Sequence, residues 1–225
     1  MKSSNHAMER TSDRCASTFR DDFHTRTASD ARRRPPSLIL FSLGLMHLAI
    51  RQAVADDTHI VSGILLEAAQ WLRLEGLGMW RDDEVVPDSI FGDVSQGLFF
   101  LAEDGAEAIG TLKFQCSDTV FWPDVPQDES AFIHRVAVRR RFSGGGVSSV
   151  LLAWAAERAH RLGRRYLRLD CEVSRPRLRA VYEHFGFTHH SDRQVGPYYV
   201  ARYELVLPRE RPNQAMQRTA PRSNA

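Results

Sequence analysis

Val136-Ala137-Val138-Arg139-Arg140-Arg141-Phe142-Ser143-Gly144-Gly145-Gly146-Val147-Ser148-Ser149-Val150-Leu151-Leu152 joins two apolar segments through three consecutive glycines. The segment before the glycines, Ala131 to Val138, reads as a buried strand. The one after them, Val147 to Leu162, carries apolar positions at helical spacing and stops at Gly163. Glycines let backbone approach a ligand closely and leave successive amides outward. The first turn of the following helix adds unpaired N–H groups and the positive end of its dipole. Such a join makes a cradle for a phosphate or pyrophosphate; the competing reading is a glycine-rich turn that does nothing but turn.

Two phosphate-binding classes are excluded. A Walker loop needs Gly-Lys-Ser/Thr at the helix start, where Val147-Ser148 stands. A dinucleotide fingerprint is approximated by Gly144, Gly146 and Ser149, with Asp170 placed where a ribose-binding acid would lie. It fails because the stretch from Val138 to Gly144 is too long for the tight first turn, and too little chain follows Asp170 for a second parallel unit.

Working outward, Asp56 or Thr58 can cap a helix carrying Ile60, Ile64, Leu65, Ala68, Trp71 and Leu72, ending by Gly76. Gly97 to Glu103 and Ala108 to Phe114 are joined by Asp104-Gly105, a hairpin signal. A proline-broken loop, Phe121 to Pro126, follows. Tyr166 to Cys171 reads as a strand, Pro176 to Phe185 as a helix stopped by Gly186, and Tyr198 to Leu207 as at least one last strand. Strands and helices alternate in one mixed α/β domain over residues 46–207.

Residues 1–45 are expected to be a disordered or non-native extension and 208–225 a disordered tail, since residues 1–37 and 208–225 are polar and arginine-rich without core spacing. Residues 5–14 and 213–222 match at six of ten positions, which suggests translated flanking repeats and a working start near Met46. The apolar run Leu38 to Ile50 imitates a secretory signal; Arg51 and His47 count against that, and the run is too short to span a bilayer. The alternative is that Leu48 to Val54 is the first strand. Three scattered cysteines, Cys15, Cys116 and Cys171, show no metal spacing and are read as free thiols of a reducing cytosol, with no metal expected.

Net charge is only +2, which does not call for nucleic acid. Its distribution is uneven. Residues 46–130 carry 4 basic and 16 acidic side chains, residues 131–208 carry 14 basic and 6 acidic. An anionic ligand belongs with the second half, and a cationic one would be welcomed by the first.

The glycine-rich join resembles the GNAT superfamily of N-acetyltransferases, over roughly residues 46–207. In that family Arg/Gln-x-x-Gly-x-Gly/Ala follows a strand and holds the pyrophosphate of acetyl-CoA on its amides. Here the motif falls on Ser143-Gly144-Gly145-Gly146-Val147-Ser148, with Ser149 beyond it; Ser143 and Ser148 depart from the pattern without removing an amide. A second match, Arg175-Pro176-Arg177-Leu178-Arg179-Ala180-Val181-Tyr182-Glu183-His184-Phe185-Gly186-Phe187, resembles Asn-Pro-x-Leu-x-x-x-Tyr-x-x-x-Gly-Phe.

The resemblance implies a mixed, mostly antiparallel central sheet flanked by helices, the acyl-CoA N-acyltransferase architecture. It makes Tyr182 the general acid beside the cofactor's sulfur. It sets Val136, Ala137 and Val138 against the pantetheine arm, and leaves Arg175 where the family has an asparagine that caps the helix. Arg139, Arg140 and Arg141 steer CoA phosphates or form a solvated bend. The family's base position is Phe132 here, so His134, on the same strand face by period two, is the first substitute and Glu129 the second. A bound water would need neither.

The expected activity is transfer of the acetyl group of acetyl-CoA, as co-substrate, to an amine of a small cationic acceptor by direct attack in a ternary complex. A catalytically silent acyl-CoA-binding module and a nucleic-acid binder using its arginine-rich tails are the alternatives. Trp71, Trp80, Trp122, Asp124, Asp128 and Glu129 are candidate walls of the acceptor pocket. The cytoplasm is the expected compartment, without a membrane partner, and an exposed last strand could pair across a homodimer.

Overall fold

The computed structural model describes residues 39–43, 46–78 and 80–209. Among them, eight strands form one sheet in the order β1-β2-β3-β4-β5-β6-β8-β7. The strands are β1 (Ile39–Leu43), β2 (Met46–Gln52), β3 (Phe99–Asp104), β4 (Glu107–Gln115), β5 (Ser130–Val138), β6 (Tyr166–Glu172), β7 (Thr188–Val195) and β8 (Tyr198–Val206). Only β5 and β6 run parallel; every other neighbouring pair is antiparallel. The mixed, mostly antiparallel sheet is the one expected.

Four α-helices cover it: α1 (Thr58–Leu74), α2 (Pro87–Ser95), α3 (Val147–Arg161) and α4 (Pro176–Phe185). Helices α1 and α2 bury Val61, Ile64, Leu65, Ile90 and Val94 against Phe99 and Leu101 on one face of the sheet. Helices α3 and α4 bury Leu151, Trp154 and Tyr182 with Phe100 and Phe114 on the other. Strands β3 and β4 are thus buried on both faces, which is why they read as continuous apolar runs. Gly110 lets α3 come close: a Cβ there would meet the Ala137 carbonyl at 3.2 Å and Leu151 and Val147 at 3.3 Å. The apolar face of α1 is centred on Val61 rather than Ile60, which is 38% exposed, because the 100° step places Val61 in line with Ile64, Leu65, Ala69 and Leu72.

The sheet differs from the sequence reading in three places. The apolar run before residue 52 is long enough for two paired strands, so β1 lies inside the stretch read as an extension. The last strand, β8, is interior, between β6 and β7, so it offers no free edge. That edge belongs to β7, whose His189, His190, Asp192 and Arg193 blunt it. Helix α2, with Pro87 at its start, lies in an acidic stretch without a clear apolar period. The expectations for residues 1–38 and 210–225 lie outside the described residues.

What positions the site is a parting of the two central strands. β5 pairs with β6 from Ser130↔Tyr166 to Ile133↔Leu169 and no further, although β5 runs on to Val138 and β6 to Glu172. On its other side, β5 sets two residues, Arg135 and Val136, opposite Leu112 of β4. Arg135 has φ 52°, the one positive φ outside glycine among the described residues. This is a β-bulge; it sharpens the local twist and turns the second half of β5 away from β6.

Candidate active site

A cavity of about 580 Å³ occupies the parting. Val136, Ala137 and Val138 of β5 line it without strand partners on the β6 side, facing Leu169, Asp170 and Cys171. Ser143, Gly144, Val147 and Ser148 close it where α3 begins. Trp71, Trp80, Phe121, His134 and Tyr198 line the remainder, and Arg175 and Tyr182 reach it from α4 and its cap.

The glycine-rich join adopts its shape because two of its residues need the left-handed region. Gly144 and Gly146 both have φ 82°, and Gly146 is the residue from which α3 starts. The turn uses part of its own donors: the Ser143 amide donates to the Arg140 carbonyl (3.0 Å) and the Gly145 amide to that of Phe142 (3.2 Å). Those two amides are turned into the loop, against the expectation that the whole run faces outward. The first-turn amides of α3 have no acceptor within the helix and keep the anion-binding character. Gly145, Gly146 and Ser149 are not in the cavity wall; Ser149 lines a separate groove with Arg177 and His184.

The three arginines before the loop are held by the protein. Arg139 donates to Glu67 (2.9 Å) and to the Ala108 carbonyl (2.9 Å), Arg140 stacks over the Trp71 ring (3.9 Å), and Arg141 pairs with Glu107. Of them only Arg140 lines the cavity. At α4, Arg175 sits at the cap position and makes no side-chain cap, which leaves Pro176 at the first turn to start the helix.

Tyr182 is buried, 7% exposed, with its ring between those of Phe187 and Tyr203. Burial pushes its phenol well above the usual value, with Cys171 and Asp170 adding to the effect, so it stays protonated at neutral pH. The free thiol of Cys171, also buried, is pushed up to about 12 by burial first and by Asp170 second.

His134 lies between two carboxylates. Its Nε2 is 3.0 Å from Asp118 Oδ2 and its Nδ1 is 3.3 Å from Asp170 Oδ1. Both are ion-pair distances without hydrogen-bond alignment, and Nε2, Oδ2 and Oδ1 have no other partner. Burial works against the charge, but the two carboxylates outweigh it and raise the imidazole to about 9. For Asp118 burial likewise opposes charge, and His134 with the Phe121 and Val120 amides outweighs it, holding the carboxyl below its usual range. Asp118, His134 and Asp170 could offer a metal three ligand atoms within 4.8 Å of one another. The carboxylates address opposite ring nitrogens, however, and a metal takes only one, so the arrangement suits a held imidazolium better.

Other expected site residues are elsewhere. Glu129 precedes β5 at the closed end of the parting, 3.7 Å from Arg165, and does not line the cavity. Trp122 is fully buried core, and Asp124 holds Arg202 at 2.6 Å. Trp71 and Trp80 do line the cavity; Trp122, Asp124 and Asp128 do not. Missed altogether were Asp118 and the pair Glu84 and Tyr198, in which the tyrosine hydroxyl donates to Glu84 Oε1 at 2.5 Å. Glu84 also accepts, on its carbonyl, the Arg135 guanidinium at 2.6 Å. No periodicity signals these partners, which come from loops and strands far apart in the chain.

A profile described as the acetyltransferase (GNAT) family matches residues 65–187, more than half of the chain. The chain belongs to the GNAT acetyltransferase family. It is 30% identical over 141 residues to the uncharacterized N-acetyltransferase YesJ of Bacillus subtilis (strain 168), covering 60% of this chain and 78% of that one. A GNAT-family acetyltransferase from Listeria monocytogenes has the same fold, with a TM-score of 0.62 at 24% identity, over 74% of this chain and 99% of the other. The structure of YncA from Salmonella typhimurium, solved with its cofactor acetyl-CoA, aligns with a TM-score of 0.56 at 19% identity, over 75% and 98%. The PaiA N-acetyltransferase of Thermoplasma acidophilum, in complex with coenzyme A, gives 0.57 at 15% identity, over 71% and 100%. As a GNAT member the chain is an acetyl-CoA-dependent N-acetyltransferase. Among the described residues no helix is long and apolar enough to cross a membrane.

Proposed function

We propose that this GNAT acetyltransferase acetylates an amine of a small cationic acceptor by direct attack within a ternary complex, with Tyr182 as acid and His134 as base. The observation that carries the reading is the single cavity at the parting of β5 and β6, which is lined by both residues and by the start of α3.

The residues fit acetyl-CoA. The unpaired edge at Val136, Ala137 and Val138 can pair with the amides of a pantetheine arm as a strand would, and the first-turn amides of α3 beside Gly144 can take a diphosphate. When bound, acetyl-CoA supplies a thioester, an acyl donor whose leaving group is a thiolate. Tyr182, kept neutral by burial, donates its proton to that thiolate. An ammonium is no nucleophile, so the acceptor must lose a proton first, and the His134 imidazole in the cavity wall can take it. With the imidazole raised to about 9, roughly one molecule in a hundred is in the basic form at pH 7, so turnover rises with pH through that value. Glu84, Asp118, Asp170 and Glu172 supply carboxylates to a wall that also carries Lys113, Arg135, Arg140 and Arg175, so a cationic acceptor would be met by individual carboxylates rather than by a net negative field.

The test is calorimetric titration with CoA followed by a thiol-release assay over small cationic amines. CoA binding, and turnover that falls by about 10² to 10⁴ in Tyr182→Phe, are expected. Absence of CoA binding, or Tyr182→Phe at full rate, overturns the proposal; binding without turnover on any amine points to an acyl-CoA-binding module.

A further inference from the structure

The two carboxylates around His134 are not equivalent. Asp118 is the more deeply buried, with its side chain 4% exposed against 12% for Asp170, and makes the closer contact, 3.0 Å to Nε2. It is also fixed from behind. Its Oδ1 accepts the amides of Val120 (3.1 Å) and Phe121 (3.0 Å), and its own amide donates to Gln127 Oε1 (2.7 Å). Gln127 in turn donates to the Trp122 and Val125 carbonyls, so the proline-broken loop between β4 and β5 is tied around this one carboxylate. Oδ2 thereby faces Nε2 at that distance, and both atoms are sealed from solvent without a hydrogen-bond partner, as is Asp170 Oδ1. Asp170 instead stands on β6 where that strand leaves β5.

We propose that Asp118 is a positioning residue for the base: it locks the neutral imidazole of His134 as the Nε2–H tautomer, so that Nδ1, on the side of Asp170, is the nitrogen that takes the acceptor's proton. A buried carboxylate can accept only an N–H from a neutral ring, and the sealed Asp118 has no water to substitute. The neutral ring therefore keeps its hydrogen on Nε2 and presents its lone pair at Nδ1. Asp170, opposite Nδ1, draws the acceptor's ammonium to that edge; the proton moves from nitrogen to Nδ1, and Asp118 stays ionised throughout. Lys113 is the cross-strand neighbour of His134 on β4 and Arg135 its neighbour on β5; Glu84, Arg140, Glu172, Arg175, Cys171, Tyr182 and Tyr198 line the same cavity. Lys113 is paired with Asp93 at 2.7 Å.

The inference rests on the base assignment above, and the test separates the two. In ¹⁵N NMR of the labelled full-length protein at a pH above the His134 titration, the Nε2–H tautomer is expected. In Asp118→Asn, with circular dichroism unchanged, the acid limb of kcat/KM should move down by at least one pH unit, a tenfold or greater gain at pH 7 relative to that variant's own plateau. Where Asp118→Asn does not fold, the wild-type tautomer decides. An Nδ1–H tautomer, or a folded Asp118→Asn with an unmoved limb, overturns the inference alone while His134→Gln remains inactive. Full turnover in His134→Gln removes the base assignment and this inference with it.

Discussion

The two halves of β5 behave as different elements. Ser130 to Ile133 are all paired with β6 and buried, Phe132 and Ile133 are paired with β4 as well, and Phe132 is fully enclosed against Trp122. His134 to Val138 are paired on β4 only and line the cavity. The same strand thus serves as core at one end and as an open binding edge at the other, and the bulge at Arg135 separates the two. A sheet that parts has to be held rigidly where it does not part; the closed half supplies that rigidity and the open half the chemistry.

Substitutions should divide along that line. The largest effect belongs to the cavity that the open half lines: Tyr182→Phe, in its wall, is expected to cut kcat/KM by about 10² to 10⁴ with the melting temperature nearly unchanged. Steady-state kinetics beside a thermal melt checks it, and a lost fold with retained specific activity would contradict the division. Phe132→Ala, in the closed half, should do the converse. Truncation of a fully buried aromatic costs about 3–5 kcal/mol, visible in urea unfolding, and the surviving folded fraction should keep the acid limb near pH 9.

Stability should also depend on pH through the open half. The folded-state pKa of His134 is raised, from an ordinary 6.5 to about 9. Its contribution is therefore full below about 6.5 and is lost as pH rises through 9. The melting temperature should fall between those pH values in wild type and hold flatter in His134→Gln. Smaller again is Gly146→Ala, which forces a side chain into φ 82°; a cost of about 1 kcal/mol in stability and weaker CoA binding by titration are expected. Smallest is Glu129→Gln at the closed end, an exposed partner of Arg165, expected to change stability by less than about 0.5 kcal/mol and turnover within about twofold.

The fold was largely legible in the sequence, because its evidence is local. The hairpin at Asp104-Gly105, the strand before the glycines, the helix after them and the stop at Gly186 each depend on a few neighbouring residues. Two local readings still went astray for identifiable reasons. The apolar run around Met46 holds two strands, and period alone does not count strands in one continuous run. Glu129 is near His134 in the chain, but a strand rises about 3.3 Å per residue, so five residues carried it to the opposite end of β5. Of the site, Tyr182 and the loop glycines were readable as motif; Asp118 was not, since nothing in its own neighbourhood marks one aspartate among many.

By itself the sequence determined the elements and the residue types needed for acyl transfer: glycines where φ must be positive, a helix start with free amides, a tyrosine on the face of α4. Only the tertiary structure decided that β5 leaves β6 after Ile133 and that Asp118 and Asp170 meet His134 from opposite sides. The reason is that backbone preference acts over a turn or two. The charge state of a buried imidazole is set instead by whatever long-range packing brings within a few ångströms of it.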